Sequence, residues 1–167
     1  RSTRKESSAA SDVYKRQSTT SAPSVPASTY ADAAQPPVLT AGQAAVAGLR
    51  ERGVDTVFGI PGVQTYELFE SLRREPGIEV IGARHEQACA YMALGYAQST
   101  GRPGVFSVVP GPGVLNASAG MLTSLATSTP TVCVTSEIPT DYMGRGMGHL
   151  HEMPDQQATV SSFTKWA

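Results

Sequence analysis

Between Thr40 and Thr135 short β-patterned runs alternate with longer helix-patterned stretches, and this alternation restricts the chain to very few architectures. Thr56-Val57-Phe58, Ile78 to Ile81, Val105 to Val109 and Thr131 to Thr135 are apolar or β-branched and bounded by Gly, Pro or polar residues, so each is predicted as a short strand. A helix over 41–52 is predicted before the first: Thr40 can cap it, Ala44, Ala45 and Leu49 form an apolar stripe, and Gly53 stands where a terminal glycine belongs. Tyr66, Leu68, Phe69 and Leu72 keep helical spacing as far as Arg74. Glu86 to Thr100 is alanine-rich and closed by Gly101, and a further helix runs through Met121 and Leu125. The expected fold class is α/β, a Rossmann-like parallel sheet with helices on both faces. Ligands of such sheets bind outside the carboxyl ends of the strands, so the turns that follow the strands are where chemistry is expected.

Three of those turns are unusual. Gly59-Ile60-Pro61-Gly62 follows the first strand; its glycines let backbone approach a flat ligand and its proline fixes the bend, although such a cluster alone is often only a turn. Arg84-His85-Glu86-Gln87 follows the second and sets three ionisable side chains at the mouth of the sheet and at a helix start. Taken alone, Glu86 reads first as a complement to the helix dipole. Pro110-Gly111-Pro112-Gly113-Val114-Leu115-Asn116 follows the third. Pro112 removes an N–H donor there, so this turn suits a wall against a ring better than a diphosphate cradle.

Residues 1–37 are set apart from this pattern. Ser7 to Gln17 reads as the in-frame translation of a sequencing adaptor, so 1–17 are expected to carry no biology; 18–37, rich in Ser, Thr, Ala and Pro, are expected to be a disordered tail or linker. The whole chain holds 13 Lys+Arg against 14 Asp+Glu, and without 1–17 the balance is mildly acidic, as in many cytoplasmic enzymes. With no basic face and no apolar run of about 18 residues, neither nucleic acid nor a membrane is expected as partner. Cys89 and Cys133 fall in apolar helix and strand patterns and are expected to be free thiols in a reducing compartment.

The ordered set Gly-Ile-Pro-Gly (59–62), Arg-His-Glu-Gln (84–87) and Gly-Pro-Gly-x-x-Asn (111–116) resembles the N-terminal domain of thiamine diphosphate enzymes, the group of acetolactate synthase and related 2-oxo acid decarboxylases. The resemblance runs from Val38 to Ala167. It implies the thiamine diphosphate-binding fold, a pyrimidine-binding domain over 38–167, and a chain that is a fragment of a three-domain polypeptide, homodimeric or homotetrameric when full length. The cofactor implied is thiamine diphosphate, its Mg2+ and diphosphate belonging to the C-terminal domain of a partner subunit and flavin, where the family uses it, to a middle domain. By the same resemblance Ile60, Pro61, Gly62, Gly111, Pro112 and Gly113 line the cofactor, and Asn116 either touches its pyrimidine or braces the turn. Glu86 matches the glutamic acid that hydrogen-bonds the pyrimidine nitrogen, favours the imino tautomer and so lets the cofactor lose its thiazolium proton. The isolated fragment is expected to be inactive.

The substrate end departs from acetolactate synthases, which usually show Phe-Gln-Glu where this chain has Leu150-His151-Glu152, and Gln where it has Glu137. The pattern is more similar to decarboxylases of larger or basic 2-oxo acids, such as guanidino-oxopentanoate decarboxylases. Glu137 or Glu152 can pair with a cationic substrate tail or serve as a cap or surface ion pair. His151 is a candidate proton donor to the reaction intermediate or a structural residue, and His85 stands between substrate cavity and packing. Arg84 is expected to neutralise a carboxylate or brace a strand. His149 and His151 lack a third ligand, so no metal site is expected here. Ala88, Ala90, Ala93, Ala97, Ala117 and Ala119 are expected to give the helices after the second and third strands small faces for a partner. Two other readings stand beside this one: a short subunit of a split thiamine diphosphate enzyme, and a non-catalytic nucleotide-binding α/β domain. The second lacks a Gly-x-Gly-x-x-Gly turn and a P-loop lysine.

Overall fold

Thr40 opens the first helix through a reciprocal capping box: its hydroxyl accepts from the Gln43 N–H, and the Gln43 side chain accepts from the Thr40 N–H. The computed structural model describes residues 38–167, so the readings of 1–17 and 18–37 lie outside the described residues. In order come α1 (Ala41–Glu51), β1 (Thr56–Gly59), a 3-10 turn (Val63–Thr65), α2 (Tyr66–Arg74), β2 (Glu79–Gly82), α3 (Glu86–Thr100), β3 (Gly104–Ser107), α4 (Pro112–Ala126), β4 (Thr131–Val134) and a short α5 (Gln156–Ser161). The strands form one parallel sheet in the order β2-β1-β3-β4. The expected α/β fold is therefore present.

Alternation along the central strands fills a core on each face of the sheet. Val57 and Val105 join Val46, Leu72 and Ile78 beneath α1 and α2, whereas Phe58 and Phe106 join Cys89, Ala93, Val114 and Met121 beneath α3 and α4. α3 and α4 approach so closely that a Cβ at Gly120 would stand 2.6 Å from the Ala90 Cβ. This packing corrects one expectation. Ala90, Ala93, Ala97 and Ala117 are 0–2% exposed inside the chain and leave only Ala88 and Ala119 on the surface. What the two helices turn outward is larger: Tyr91, Leu115, Leu122 and Leu125.

The face of α1 also differs from the expected stripe. Ala44 is exposed while Gly42 and Val46 are buried, because the Gly42 N–H donates to Glu67 Oε2 (2.7 Å) on α2 and burying valine removes more apolar area than burying alanine. At the amino end of the sheet, Asp55 ties three elements together. It accepts from Tyr96 Oη (2.7 Å), Arg102 (2.8 Å) and Thr56 Oγ1 (3.0 Å), and these bonds hold its carboxyl at about 2, led by that from Tyr96. Both cysteines are free. Burial and then the charge of Glu86 push the Cys89 thiol up to about 11, and burial pushes Cys133 to about 12. Among the described residues no helix is long and apolar enough to cross a membrane.

Candidate functional site

Register decides where the turns meet. Gly82, Gly59 and Ser107, the last residues of β2, β1 and β3, are partners across the sheet, so the three Gly- or charge-bearing turns leave side by side from one edge. The helix after β1 covers one face and the helix after β3 the other, which opens a crevice between these adjacent strands.

The first turn is braced from within. The Ile60 N–H donates to the Ser107 carbonyl (3.2 Å), Ile60 packs on the α3/α4 core, and buried Thr65 both accepts from the Gly62 N–H (3.0 Å) and donates to the Gly62 carbonyl (3.1 Å). Pro61 is exposed between them. A Cβ at Gly62 would stand 2.2 Å from Val109 Cγ1, so the first turn lies directly on the third.

The second turn supplies the acid. His85 caps α3, its Nδ1 accepting from the Gln87 N–H (3.1 Å), and Glu86 begins the helix half-buried. Asn116, one helical turn into α4, donates from Nδ2 to Glu86 Oε2 (3.0 Å). Two motif residues 30 positions apart are thus joined, and Glu86 Oε1 has no partner among the described residues. Arg84, expected to pair or brace, is exposed and takes part in no ion pair among the described residues.

In the third turn Gly111 takes φ 60° and ψ −114°, a conformation only glycine enters readily, and Pro112 is the first residue of α4. Gly113 sits against Val109. The reason for the bend at Gly111 lies far along the chain: a Cβ there would stand 2.3 Å from the His151 carbonyl oxygen.

Residues 149–156 fold back over the first and third turns. His151 has φ 69°, its Nδ1 is hydrogen-bonded to Gln64 Oε1, and Gln64 Nε2 donates to the Leu150 carbonyl (2.8 Å). Gln156 closes the other side: its Oε1 accepts from the Gly111 N–H (2.7 Å) and its Nε2 donates to the Ser136 carbonyl (3.0 Å). The Leu150 side chain is exposed. Glu152 is occupied within its own loop, accepting from the N–H groups of Gly146 (3.0 Å) and His149 (2.8 Å), while Tyr142 stacks on His149 at 4.4 Å. Glu137 accepts from the neighbouring Ile138 N–H (2.9 Å) and lines a cleft of about 420 Å³ with Met143, Met153, Asp155 and Gln156. Nothing bonds it to Glu86 or Asn116 among the described residues. No three His, Cys, Asp or Glu side chains of the described residues gather to hold a metal ion.

Glu86, Asn116, Ile60, Gly62, Gly111 and His151 therefore share one edge, and His85 is there as a helix cap. Sequence reasoning missed Gln64 altogether and gave Gln156 no role. Their partners are 87 and 45 positions away, so the only local signal for Gln64 was its place just after the first turn.

The pattern for the thiamine pyrophosphate enzyme, N-terminal TPP binding domain, matches residues 39–159. This chain belongs to that family. Among its relatives, a probable 2-ketoarginine decarboxylase of Pseudomonas aeruginosa is 45% identical over 129 residues, covering 77% of this chain and 23% of the relative. The acetolactate synthase large subunit of Haemophilus influenzae is 40% identical over 106 residues, covering 64% and 18%. Acetolactate synthase isozyme 2 large subunit of Escherichia coli is 37% identical over 106 residues, covering 64% and 19%. The chain thus spans about a fifth of the length of the curated relatives it matches. The family implies thiamine diphosphate, and the edge fits a ring of that kind. The buried Ser107 hydroxyl at the end of β3 has no partner, Glu86 keeps one carboxylate oxygen open, and a Cβ at Gly82 would meet nothing within 4 Å.

Proposed function

We propose that residues 38–167 hold the aminopyrimidine end of thiamine diphosphate at the carboxyl edge of β1, β2 and β3, within a longer enzyme that acts on a 2-oxo acid. The Asn116–Glu86 hydrogen bond is the observation that carries this reading, because it fixes one carboxylate oxygen and leaves Oε1 for a ring nitrogen. When bound, thiamine diphosphate supplies a carbon nucleophile and an electron sink for cleavage beside a carbonyl. The chain's own part is to hold and orient. Ile60, Pro61 and Gly62 of the first turn and Gly111, Pro112 and Gly113 of the third supply apolar surface for the ring to rest on, and Glu86 Oε1 holds the proton it shares with the ring. His151 is assigned as the proton donor toward substrate. Diphosphate and Mg2+ are assigned to the C-terminal domain of a partner subunit, which the outward Tyr91, Leu115 and Leu122 face suits.

For the donor substrate we favour a 2-oxo acid with a basic side chain, the class named by the decarboxylase relative. Leu150-His151-Glu152 and the acidic Glu137 and Asp155 of the adjoining cleft support it, Glu137 more than Glu152, whose carboxylate already serves two backbone donors. The test is Glu86→Gln in the full-length enzyme. It preserves the fold, keeps an acceptor for Asn116 and is expected to lower turnover at least about 100-fold. Near-normal turnover would sink the reading.

A further inference from the structure

The Gln64 side chain joins the first turn to the 149–156 segment, and its two ends do different things. A carbonyl oxygen only accepts, so the amide nitrogen of Gln64 must be the atom facing the Leu150 carbonyl, at 2.8 Å. That leaves Oε1 facing His151 Nδ1. Oε1 also only accepts, so Nδ1 must carry the hydrogen. We propose that Gln64 is a positioning residue that fixes the His151 tautomer with its proton on Nδ1 and thereby makes Nε2 the ring nitrogen that exchanges protons. This inference rests on the reading of His151 as proton donor.

Three further observations support a fixed ring. His151 is a non-glycine residue at φ 69°, a conformation that persists only where the surroundings hold it. Its carbonyl rests on Gly111, and the Glu152 N–H donates to the His149 carbonyl (2.8 Å), so the backbone is held on both sides of the ring. Nε2 has no partner among the described residues. An amide gives this orientation without charge, whereas a carboxylate in its place would also stabilise the imidazolium. His85 provides the opposite case in the same molecule: its Nδ1 accepts from the Gln87 N–H, so its proton belongs on Nε2.

Long-range 1H–15N spectra of the 167-residue chain read both tautomers directly, with the His151 signals assigned by their loss in His151→Gln. Neutral His151 is expected with its hydrogen on Nδ1 and His85 with its hydrogen on Nε2. Gln64→Met removes the acceptor and is expected to move the His151 hydrogen to Nε2, while Gln64→Glu keeps an acceptor and is expected to keep it on Nδ1. In the full-length enzyme Gln64→Met is expected to lower kcat about tenfold, with little change in KM and a displaced pH profile. A wild-type His151 hydrogen on Nε2 overturns the proposal even if Gln64→Met fails to fold. So does an Nδ1 hydrogen that survives Gln64→Met, or an unchanged kcat and pH profile. The tautomer does not depend on cofactor, so failure of the thiamine diphosphate reading, shown by an active Glu86→Gln enzyme, is a separate result.

Discussion

Replacing Gly111 by alanine tests whether the third turn is shaped by the returning 149–156 segment. The residue sits at φ 60°, ψ −114°, where a side chain costs about 1–3 kcal/mol. The new Cβ would also stand 2.3 Å from the His151 carbonyl oxygen, a backbone atom next to Leu150, whose own carbonyl accepts from Gln64 and is expected to be drawn away with it. Losing that hydrogen bond adds about 1 kcal/mol. The expected cost is therefore about 3 kcal/mol. Gly101→Ala is the reference: it stands at φ 70° with nothing within 4 Å, and carries only the left-handed penalty of about 1–2 kcal/mol. Urea unfolding followed by far-ultraviolet circular dichroism suits the comparison, since Trp166 is 89% exposed and its fluorescence reports little of the fold. A difference of about 1.5 kcal/mol between the variants separates their midpoints by roughly 0.5–1.5 M. Equal midpoints would refute the assignment of the bend to His151.

Asp55 is held at about 2 against 3.8 for an unpaired group, so its contribution is complete above about pH 4 and is lost as pH falls toward 2. Tyr96→Phe removes the largest cause and is expected to make the fall in melting temperature between pH 4 and 2 shallower; Glu70, also held at about 2 by Arg73 and Arg74, maintains a residual slope. A water-soluble disulfide reagent at pH 8 is expected to react with neither Cys89 nor Cys133 in the native chain and with both in urea, because burial keeps the two thiols protonated. Leu122, 54% exposed on the outward face of α4, is expected to drive self-association, so Leu122→Lys shifts sedimentation at high concentration toward monomer.

The fold was legible because its signals are local. Thr40 and Gln43 cap across three residues, Gly101 ends α3, and the strand runs carry β-branched residues that a buried parallel sheet accepts. The phase of α1 was not legible, since it follows from a contact between Gly42 and Glu67, 25 positions on. Small residues at Ala90 and Ala117 read equally as surface for a partner or as room for a neighbouring helix. Only the Gly120–Ala90 approach decides for the second. Within the candidate site, the motif turns named their own residues, and the Glu86–Asn116 bond brings two of them together. From sequence Glu137 and Glu152 read as partners for a cationic substrate tail or as caps or surface ion pairs; in the fold Glu137 accepts the N–H of adjacent Ile138 and Glu152 those of Gly146 and His149, the latter in a loop whose path no short motif encodes.

Beyond Ser107 and Val134, the last paired residues of β3 and β4, two side chains continue the seam that the backbones abandon. Thr135 Oγ1 donates to the Val108 carbonyl (2.8 Å), and the Gln156 amide, standing in for a peptide unit, spans from the Gly111 N–H to the Ser136 carbonyl. Beyond the paired strands the β3–β4 seam is therefore held by the Thr135 and Gln156 side chains and not by backbone pairing. Detachment of α5, six residues long, is expected to expose the Gly111 amide to solvent exchange while the strands stay paired. The Gly111 amide thus reports on α5 separately from the sheet, and Gln156 is one of the ties on the 149–156 segment, beside the Gln64 contacts to Leu150 and His151.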